Sequence, residues 1–426
     1  MKVYKFGGAS IKSAEAVNNM IKIVEDRQPE SLVVVVSAMG KTTNALEDLY
    51  HLALKRQPYK KQLDQLITYH HDIALKLLND QGNGIFETIN QLGAEMEKGL
   101  DNPPPPLAKA AFYDSIVSYG ERLSSRIIHA AMHQKAMKAK WINARDFIIT
   151  DFSFREAKIN WEKTENNING ALKPMLQDHI LLTQGFIGGT PDGAYTTLGR
   201  EGSDFTAAII GSCLKAQSVT IWKDVPGILN ADPKIIQKAV KFENLNYHEA
   251  AEMTYYGASV IHPKTIKPLA NANIPLLVKS FEQPSKSGTS INADETVESV
   301  PSIIFKPNQS LVTFKVKDFT FINENNLSII FHLLDQLNIK INMMQNSAIS
   351  FSICIDNQVE KISELIASLK NDFEVQHHTG LSLTTVKNYD QETLDKFSEG
   401  KEILLEQKTK HTFQIVVEDQ HWKYMI

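Results

Sequence analysis

The sequence predicts an α/β protein whose mostly parallel sheet is flanked by helices, followed by a smaller C-terminal α+β region. Short apolar runs, such as residues 2–6 and 32–36, alternate with segments whose apolar residues recur at helical spacing, which is typical of parallel strands joined by crossover helices. Every position of 32–36 is apolar, as expected for a strand that is covered on both faces. Near residue 300 a stretch rich in Ser, Pro, Asn and charged residues separates this pattern from a different one.

The N-terminal part begins with a predicted strand at residues 2–6, a helix over 13–27 and a strand over 31–37. Residues 44–100 are mostly helical, and they end near four consecutive prolines, 103–106, which we interpret as a rigid spacer. We predict that the remaining elements of this part are one helix over about 107–136 and strands at 141–143, 180–183 and 219–222.

The C-terminal region is predicted to be a compact α+β module followed by a shorter echo of it over 381–426. At ~150 residues per domain, 426 residues correspond to two or three domains. We therefore predict a first domain at 1–298 and a second region at 301–426, with one full module and a shortened second one. The predicted elements are strand 311–316, helix 322–337, strands near 339–345 and 349–355, helix 358–370 and a strand near 381–386.

The composition excludes several functional classes. The chain is 42% hydrophobic and 22% charged, which rules out bulk disorder. The 45 basic and 49 acidic residues give a net charge of −4, so we expect no nucleic-acid partner. No apolar run approaches the ~20 residues that span a bilayer, and the first residues do not resemble a signal peptide. With Cys213 and Cys354 as the only cysteines, we expect a cytoplasmic protein with no membrane partner.

Glycine-rich turns after predicted strands are the candidates for phosphate binding. Residues 5–10 (KFGGAS) place a lysine at a strand end, followed by two glycines whose N–H groups can approach an anion closely. Residues 37–44 (SAMGKTTN) form a second such turn. Its Gly-Lys-Thr resembles the end of a Walker A loop, but that motif requires a glycine where Val35 stands, so a P-loop is excluded.

A third cluster is the densest in polar residues and glycines. Residues 184–189 (QGFIGG) and 196–204 (TTLGREGSD) combine two glycine turns with hydroxyls, Arg200 and Asp204, ahead of a predicted helix. An arginine at such a place can hold a carboxylate or a phosphate through two parallel hydrogen bonds. The loop at 222–234 (WKDVPGILNADPK) follows another predicted strand and is a weaker signal by itself.

Together these motifs resemble the aspartate kinases of the amino acid kinase superfamily. The resemblance is carried, in order, by residues 5–10, 118–122 (SYGER), 199–204, 222–227 and 257–263 (GASVIHP). It implies the amino acid kinase fold, with C-terminal α+β domains similar to tandem ACT regulatory domains. It also implies ATP-dependent phosphorylation of the β-carboxylate of L-aspartate to 4-phospho-L-aspartate, the first step towards lysine, threonine and methionine. A homodimer or higher homo-oligomer through the ACT region is a further implication.

The resemblance also implies roles for individual residues. Lys5 would balance the charge of the moving phosphoryl group, Glu121 would lie near the ammonium of aspartate, and Arg200 would hold its α-carboxylate. The nucleophile is already an anion, so no general base is needed, and Mg²⁺ would arrive on the ATP phosphates rather than in a resident metal site. The implied set is Lys5 and Asp204 for catalysis; Thr43, Glu121, Phe186, Arg200 and Ser203 for aspartate; and Lys5, Gly7, Gly8, Ser10, Ser37, Lys223, Asp224 and Lys234 for ATP.

Four positions depart from the family pattern: Glu201 replaces a glycine, Lys223 a threonine, Leu229 a tyrosine and Ser259 a lysine. We expect Lys223 to supply the charge that Ser259 lacks, and Glu201 to weaken anion binding by pairing with the adjacent arginine. Two alternatives stay open from the sequence. One is another carboxylate kinase of the superfamily, such as glutamate 5-kinase or acetylglutamate kinase, and the other is a non-catalytic amino-acid sensor on the same fold.

The sequence also bears on feedback by lysine. In lysine-sensitive relatives the first ACT unit carries an acidic residue for the effector ammonium, whereas the matching stretch here, 342–348 (NMMQNSA), has no carboxylate. A neutral amide binds an ammonium less strongly than a carboxylate does. We therefore expect lysine feedback to be weak or absent.

Overall fold

The computed structural model describes residues 1–26, 31–78, 84–258, 261–294, 300–317 and 320–419. The chain divides into two compact units. The first contains Met1–Ile228, Phe242–Ala251 and Ser259–Val297, and the second contains Leu229–Lys241, Glu252–Ala258 and Glu298–Ile426. The assignment of the C-terminal region to ACT domains stays a prediction.

The first unit alternates strands with helices along most of its length. Short non-α turns lie at Gly8–Ile11 and Pro106–Ala108, and a π-helical segment at Ile168–Leu172. The elements are β1 (Lys2–Phe6), α1 (Ala14–Glu25), β2 (Leu32–Val36), α2 (Thr42–Leu54), α3 (Lys60–Leu78), α4 (Ile85–Asp101), α5 (Lys109–Val117), α6 (Tyr119–Gln134), β3 (Ala139–Ile142), α7 (Ala144–Phe147), α8 (Trp161–Asn167), α9 (Lys173–Met175), β4 (Ile180–Gln184), β5 (Ile187–Gly189), β6 (Tyr195–Thr197), α10 (Gly202–Cys213), β7 (Ser218–Lys223), β8 (Asn244–Asn246), α11 (Tyr247–Tyr256), α12 (Pro263–Asn271), β9 (Leu276–Ser280) and β10 (Thr289–Asn292). The residues of α11 from Glu252 onwards belong to the second unit.

The central sheet has the strand order β3-β4-β2-β1-β7-β9-β10-β8 within the described residues, and the pairs are parallel except β9 with β10. All five residues of β2 are buried, which explains the unbroken apolar run in the sequence. Since β1, β2, β4 and β7 run in the same direction, the residues that follow them meet at one edge of the sheet. That edge is where open α/β sheets bind their ligands.

The helical prediction is confirmed at 44–100 and differs from the structure at 107–136. The mostly helical stretch at 44–100 is three helices, α2, α3 and α4. The single helix expected over about 107–136 is two helices, α5 and α6, which meet at Ser118. The Ser118 hydroxyl donates to the carbonyl of Ser115, so this polar residue bonds to its own backbone at the junction.

The second unit contains an antiparallel sheet in the order β12-β13-β11-β14-β16-β15. Its two central strands, at Ser302–Val316 and Phe373–Lys387, are each 15 residues long and pair with each other. Their outer parts pair Ser302 with Lys387, and their other ends pair Val316 with Phe373. The predicted strands 311–316 and 381–386 are therefore parts of longer strands. The elements are β11 (Ser302–Val316), α13 (Glu324–Gln336), β12 (Ile341–Asn346), β13 (Ser350–Asp356), α14 (Val359–Leu369), β14 (Phe373–Lys387), α15 (Gln391–Ser398), β15 (Leu405–Lys408) and β16 (Thr412–Glu418).

Each part of this long sheet has its own apolar core. Phe314, Ile330 and Leu365 belong to the core under α13 and α14, whereas Phe397 and Phe413 belong to the core beside α15. The predicted fold class, a mostly parallel α/β sheet with helices followed by a C-terminal α+β region, is confirmed.

Candidate functional site

A cavity of about 540 Å³ lies in the first unit, where β1, β2 and β4 end and α10 begins. It brings together side chains that are far apart in the sequence, from Lys5 at the end of β1 to Ser203 at the start of α10. Its walls include eight residues of the predicted site: Lys5, Gly8, Ser37, Thr43, Glu121, Phe186, Arg200 and Ser203.

A chain of four charged groups lies at this edge of the sheet. The Lys5 ammonium is 2.6 Å from one carboxylate oxygen of Asp204, and the Lys223 ammonium is 3.3 Å from the other. Asp204 is fully buried near the start of α10, and the two lysines come from β1 and β7, which are neighbours in the sheet. Lys223 also lies 3.7 Å from the carboxylate of Glu201. The lysine that sequence reasoning placed on the nucleotide side is therefore bound to the same aspartate as Lys5.

The two lysines determine the charge state of Asp204. Burial opposes its ionisation, but the ammonium groups of Lys5 and Lys223 outweigh burial and hold the pKa of the carboxyl below its usual value. Burial likewise opposes a charged Lys223, yet Asp204 and Glu201 raise the pKa of its ammonium. The cluster is thus a set of ion pairs, and Asp204 orients both cations.

Glu121 lies at the buried end of the cavity and is only 2% exposed. One of its carboxylate oxygens accepts a hydrogen bond from the Ala38 N–H at 3.1 Å, and the other is buried without a hydrogen-bond partner among the described residues. Burial raises the pKa of this carboxyl to about 8. A buried oxygen that lacks a partner and lines a cavity can accept a hydrogen bond from a bound cation.

The first two turns each need a glycine, one because of a close backbone contact and the other because of a left-handed backbone. A Cβ on Gly8 would lie 2.8 Å from the carbonyl oxygen of Ala38, and Gly40 has a positive φ of 56°. The Gly40 N–H donates to the Gly8 carbonyl at 3.1 Å, so the first two glycine turns touch each other. This contact holds Lys5 beside the loop that carries Ser37 and Thr43.

Three non-glycine residues on the cavity wall have left-handed backbone conformations: Arg155 at φ 72°, Phe186 at φ 67° and Glu201 at φ 55°. Such conformations are unfavourable for residues with a side chain, and they persist where the surrounding structure fixes them. At Phe186 the N–H donates to the Thr206 hydroxyl at 3.0 Å and the carbonyl accepts from the Leu198 N–H at 2.8 Å. Hydrogen bonds on both sides of the Phe186 peptide therefore support its left-handed conformation at the cavity wall.

The remaining predicted residues lie elsewhere. Gly7 is next to the Lys5 ammonium, because a Cβ there would be 3.5 Å from that nitrogen. Ser10 is buried and its hydroxyl donates to the Trp222 carbonyl at 3.3 Å, which ties the first turn to β7. Asp224 is exposed after β7, and Lys234 is exposed in the second unit. Ser259 lies outside the described residues. Nucleotide contacts by these residues stay predictions.

Sequence reasoning missed a second wall of the cavity. Asp114 is fully buried and accepts hydrogen bonds from the N–H groups of Arg155 and Thr197 and from the Thr197 hydroxyl. The Arg155 guanidinium lies over the Tyr113 ring, 4.1 Å from its centroid, and the Tyr113 hydroxyl donates to Glu47. The available signal was a single acidic residue within the apolar run 110–117 (AAFYDSIV).

The described residues lack two features of other classes of protein. Those residues contain no group of three or more His, Cys, Asp or Glu side chains arranged to hold a metal ion. Among their helices, none combines the length and the hydropathy that a transmembrane span requires.

Comparisons with known proteins agree with the motifs. The model of the amino acid kinase family matches residues 1–280. The chain is 31% identical over 355 residues to the lysine-sensitive aspartokinase 3 of Escherichia coli (strain K12), covering 83% of this chain and 78% of that protein. The chain belongs to the aspartokinases of the amino acid kinase family. The resemblance stated from the sequence is confirmed.

Other aspartokinases are similar over different shares of their length. The bifunctional aspartokinase/homoserine dehydrogenase 1 of Zea mays is 34% identical over 299 residues, covering 68% of this chain and 32% of that protein. The chain thus spans about a third of the length of this bifunctional relative. The crystal structure of E. coli aspartokinase III in complex with aspartate and ADP aligns with a TM-score of 0.84 at 27% identity, over 100% of this chain and 98% of that one.

Proposed function

We propose that this aspartokinase transfers the γ-phosphoryl group of ATP to the β-carboxylate of L-aspartate and forms 4-phospho-L-aspartate. The observation that carries the proposal is the composition of the cavity. It holds a guanidinium on Arg200, an ammonium on Lys5 and a buried carboxylate oxygen on Glu121 that has no partner among the described residues. These three groups complement the ammonium, the α-carboxylate and the phosphorylated carboxylate of aspartate.

The E. coli structure with aspartate and ADP supports the same substrate pair, because it aligns over the whole chain. Glu121 and Arg200 would bind the α-amino and α-carboxylate groups, and the β-carboxylate would then be directed towards Lys5. Phosphoryl transfer requires charge neutralisation and alignment more than covalent help from the protein. Asp204 contributes by holding the Lys5 ammonium at 2.6 Å in a water-poor position.

Some of the nucleotide contacts proposed from the sequence line the cavity, and one belongs to the charge cluster next to it. Gly8 and Ser37 line the cavity, and Lys223 lies in the charge cluster beside it. Mg²⁺ belongs to the nucleotide in this proposal, because it would neutralise phosphate charge and needs few protein ligands. The residues of this chain would position the phosphates around it through backbone N–H groups and lysines.

A homodimer through the second unit is part of the proposal. Strand β12 is at the edge of its sheet, and Met344 on it is 49% exposed. Ile329 and Phe331 on α13 are 40% and 41% exposed. An open strand edge with apolar side chains near it suits a self-complementary contact. Sedimentation of the wild type and of Met344→Lys tests this, and equal mass for both proteins would contradict it.

A cytoplasmic location and a role in the synthesis of lysine, threonine and methionine complete the proposal. The low cysteine content fits a reducing compartment. The biosynthetic role rests on the reaction, because an acyl phosphate of aspartate is an activated intermediate that a reductive or condensing step must consume.

The reaction is tested by trapping its product. Protein with Mg·ATP and L-aspartate should form an acyl phosphate that hydroxylamine converts to a hydroxamate, while ADP is released in equal amount. Glutamate and acetylglutamate serve as competing acceptors and distinguish the other carboxylate kinases. A folded protein that binds aspartate but yields no hydroxamate with any acceptor would be the non-catalytic sensor.

A further inference from the structure

We infer that Glu201 is a built-in counter-ion for Lys223, and that the phosphate chain of the nucleotide displaces it on binding. The inference rests on the proposed function, since it assumes that phosphates bind at this edge of the sheet. It assigns a role to a carboxylate that neither the predicted aspartate contacts nor the predicted nucleotide contacts include.

The cluster contains equal numbers of positive and negative groups. Lys5 and Lys223 contribute two positive charges, and Asp204 and Glu201 contribute two negative charges. With Glu201 next to Lys223 the cluster is neutral. A phosphate oxygen that approached it would gain little electrostatic attraction, because each cation is already paired.

The two carboxylates differ in their freedom to leave. Asp204 is fully buried between two ammonium groups, whereas the Glu201 side chain is 32% exposed and lines the cavity. Glu201 can therefore move into solvent, where water compensates its charge, and Asp204 cannot. When Glu201 leaves, the cluster has one net positive charge, directed at the cavity.

Neither the backbone conformation of Glu201 nor helix capping explains why its side chain lies beside Lys223. It precedes α10 with φ 55° and ψ 26°, and its side chain makes no capping hydrogen bond to that helix. A left-handed conformation is unfavourable for glutamate. Burial, together with repulsion from the nearby Asp204, raises the pKa of the Glu201 carboxyl above its usual value. The attraction of Lys223 at 3.7 Å offsets this repulsion.

Nucleotide binding is therefore an exchange of anions on Lys223. The incoming phosphate takes the position of the Glu201 carboxylate, and the lysine keeps its second contact with Asp204 at 3.3 Å. Since the displaced carboxylate competes with phosphate, Glu201 lowers the affinity for the nucleotide. It acts on binding and positions Lys223, and it takes no part in the transfer itself.

The experiment measures binding by calorimetry, with the full chain and the non-hydrolysable analogue Mg·adenylyl-imidodiphosphate. Glu201→Gln should lower the Kd of the analogue roughly tenfold, as expected when one charge competitor is removed from a partly buried site. Adenosine, which lacks phosphates, should bind both proteins equally. Glu156→Gln is the matched control, because Glu156 also lines the cavity but its carboxylate lies 3.8 Å from Lys264.

Coupling to Lys223 makes the test specific. In a Lys223→Thr background Glu201→Gln should change the Kd less than twofold, because the cation it releases is gone. If Glu201→Gln does not fold, Glu201→Gly serves instead, since glycine tolerates the left-handed conformation. If the wild type, Glu201→Gln and Glu201→Gly bind the analogue with equal Kd values, the counter-ion role alone is overturned. Failure of every protein to bind the analogue would overturn the proposed function as well.

Discussion

Replacing Glu121 by glutamine is expected to stabilise the free protein and to impair its binding of aspartate. Glu121 is buried, and one carboxylate oxygen has no hydrogen-bond partner in the described residues. Glutamine has the same shape and can keep the hydrogen bond from the Ala38 N–H. The substitution therefore replaces a titratable carboxyl by a neutral amide of nearly the same size.

The magnitude follows from the pKa of this carboxyl, which burial raises from 4.5 to about 8. The folded state then binds more protons than the unfolded state between these two values, so the free energy of unfolding falls as the pH rises through this window. Each pKa unit corresponds to about 1.4 kcal/mol, and the loss between about pH 5.5 and about pH 8.5 is roughly 3 kcal/mol. Glu121→Gln should lack this loss.

Denaturant unfolding of both proteins at the two pH values measures the difference. The free energy of unfolding of the wild type should fall relative to the variant as the pH rises, and the variant should be the more stable protein at the higher pH. Parallel pH dependence in the two proteins would refute the assignment of the raised pKa to Glu121.

Although Glu121→Gln should make the protein more stable at the higher pH, it should weaken the binding of aspartate. A charged partner lost from a buried ion pair costs about 2–5 kcal/mol, so the KM for aspartate should rise roughly 30-fold or more in Glu121→Gln. The KM for ATP is the internal control, because Glu121 is assigned to the aspartate side alone. An unchanged KM for aspartate would show that the ammonium binds elsewhere.

Three further predictions concern other parts of the chain. Arg200→Ala should raise the KM for aspartate, whereas Lys5→Ala should mainly lower kcat, since its charge matters most as the phosphoryl group moves; the reverse pattern would show that the two sides are exchanged. Lysine should not inhibit the hydroxamate assay at micromolar concentration, because the Asn342 amide is neutral and already hydrogen-bonded to three side chains; half-inhibition there would contradict this. Gly185→Ala should destabilise the protein by about 1–3 kcal/mol, because the added Cβ would lie 2.5 Å from the Cβ of Ser203. Gly84→Ala is the control and should not destabilise it, because no described atom lies within 4 Å of the added Cβ. Equal thermal midpoints for the two variants would exclude the clash.

The strands and turns near the site were predictable because they are local. The apolar run at 32–36 and the glycine turn at 5–10 each carry their signal within a few residues. The order in which strands meet was less accessible, since β7 joins β1 only after more than two hundred residues. The pairing of Lys223 with Asp204 depends on that order. It follows from the sheet and not from the loop sequence alone.

Glu201 shows the same limit in a single side chain. Adjacency along the chain favoured the neighbouring arginine as its partner, but the structure brings its carboxylate 3.7 Å from Lys223. The glutamate itself gives no sign of the left-handed backbone at Glu201, and the signal lies in the glycine that the family pattern has at this position. Asp114 was missed for a related reason: its partners are the backbone N–H groups of Arg155 and Thr197 and the Thr197 hydroxyl, which are 41 and 83 residues away along the chain.

The two long strands of the second unit affect how the chain folds while it is being synthesised. Ser302 pairs with Lys387, so this end of β11 must wait for 387 − 302 = 85 further residues before its partner exists. At the ~5–20 residues per second of translation, that delay is about 4–17 s. During this time the strand has an unpaired edge that can associate with other nascent chains. Protection of residues 302–306 from protease should consequently appear only in ribosome-bound chains that extend beyond Lys387, and earlier protection would mean that another segment covers the edge first.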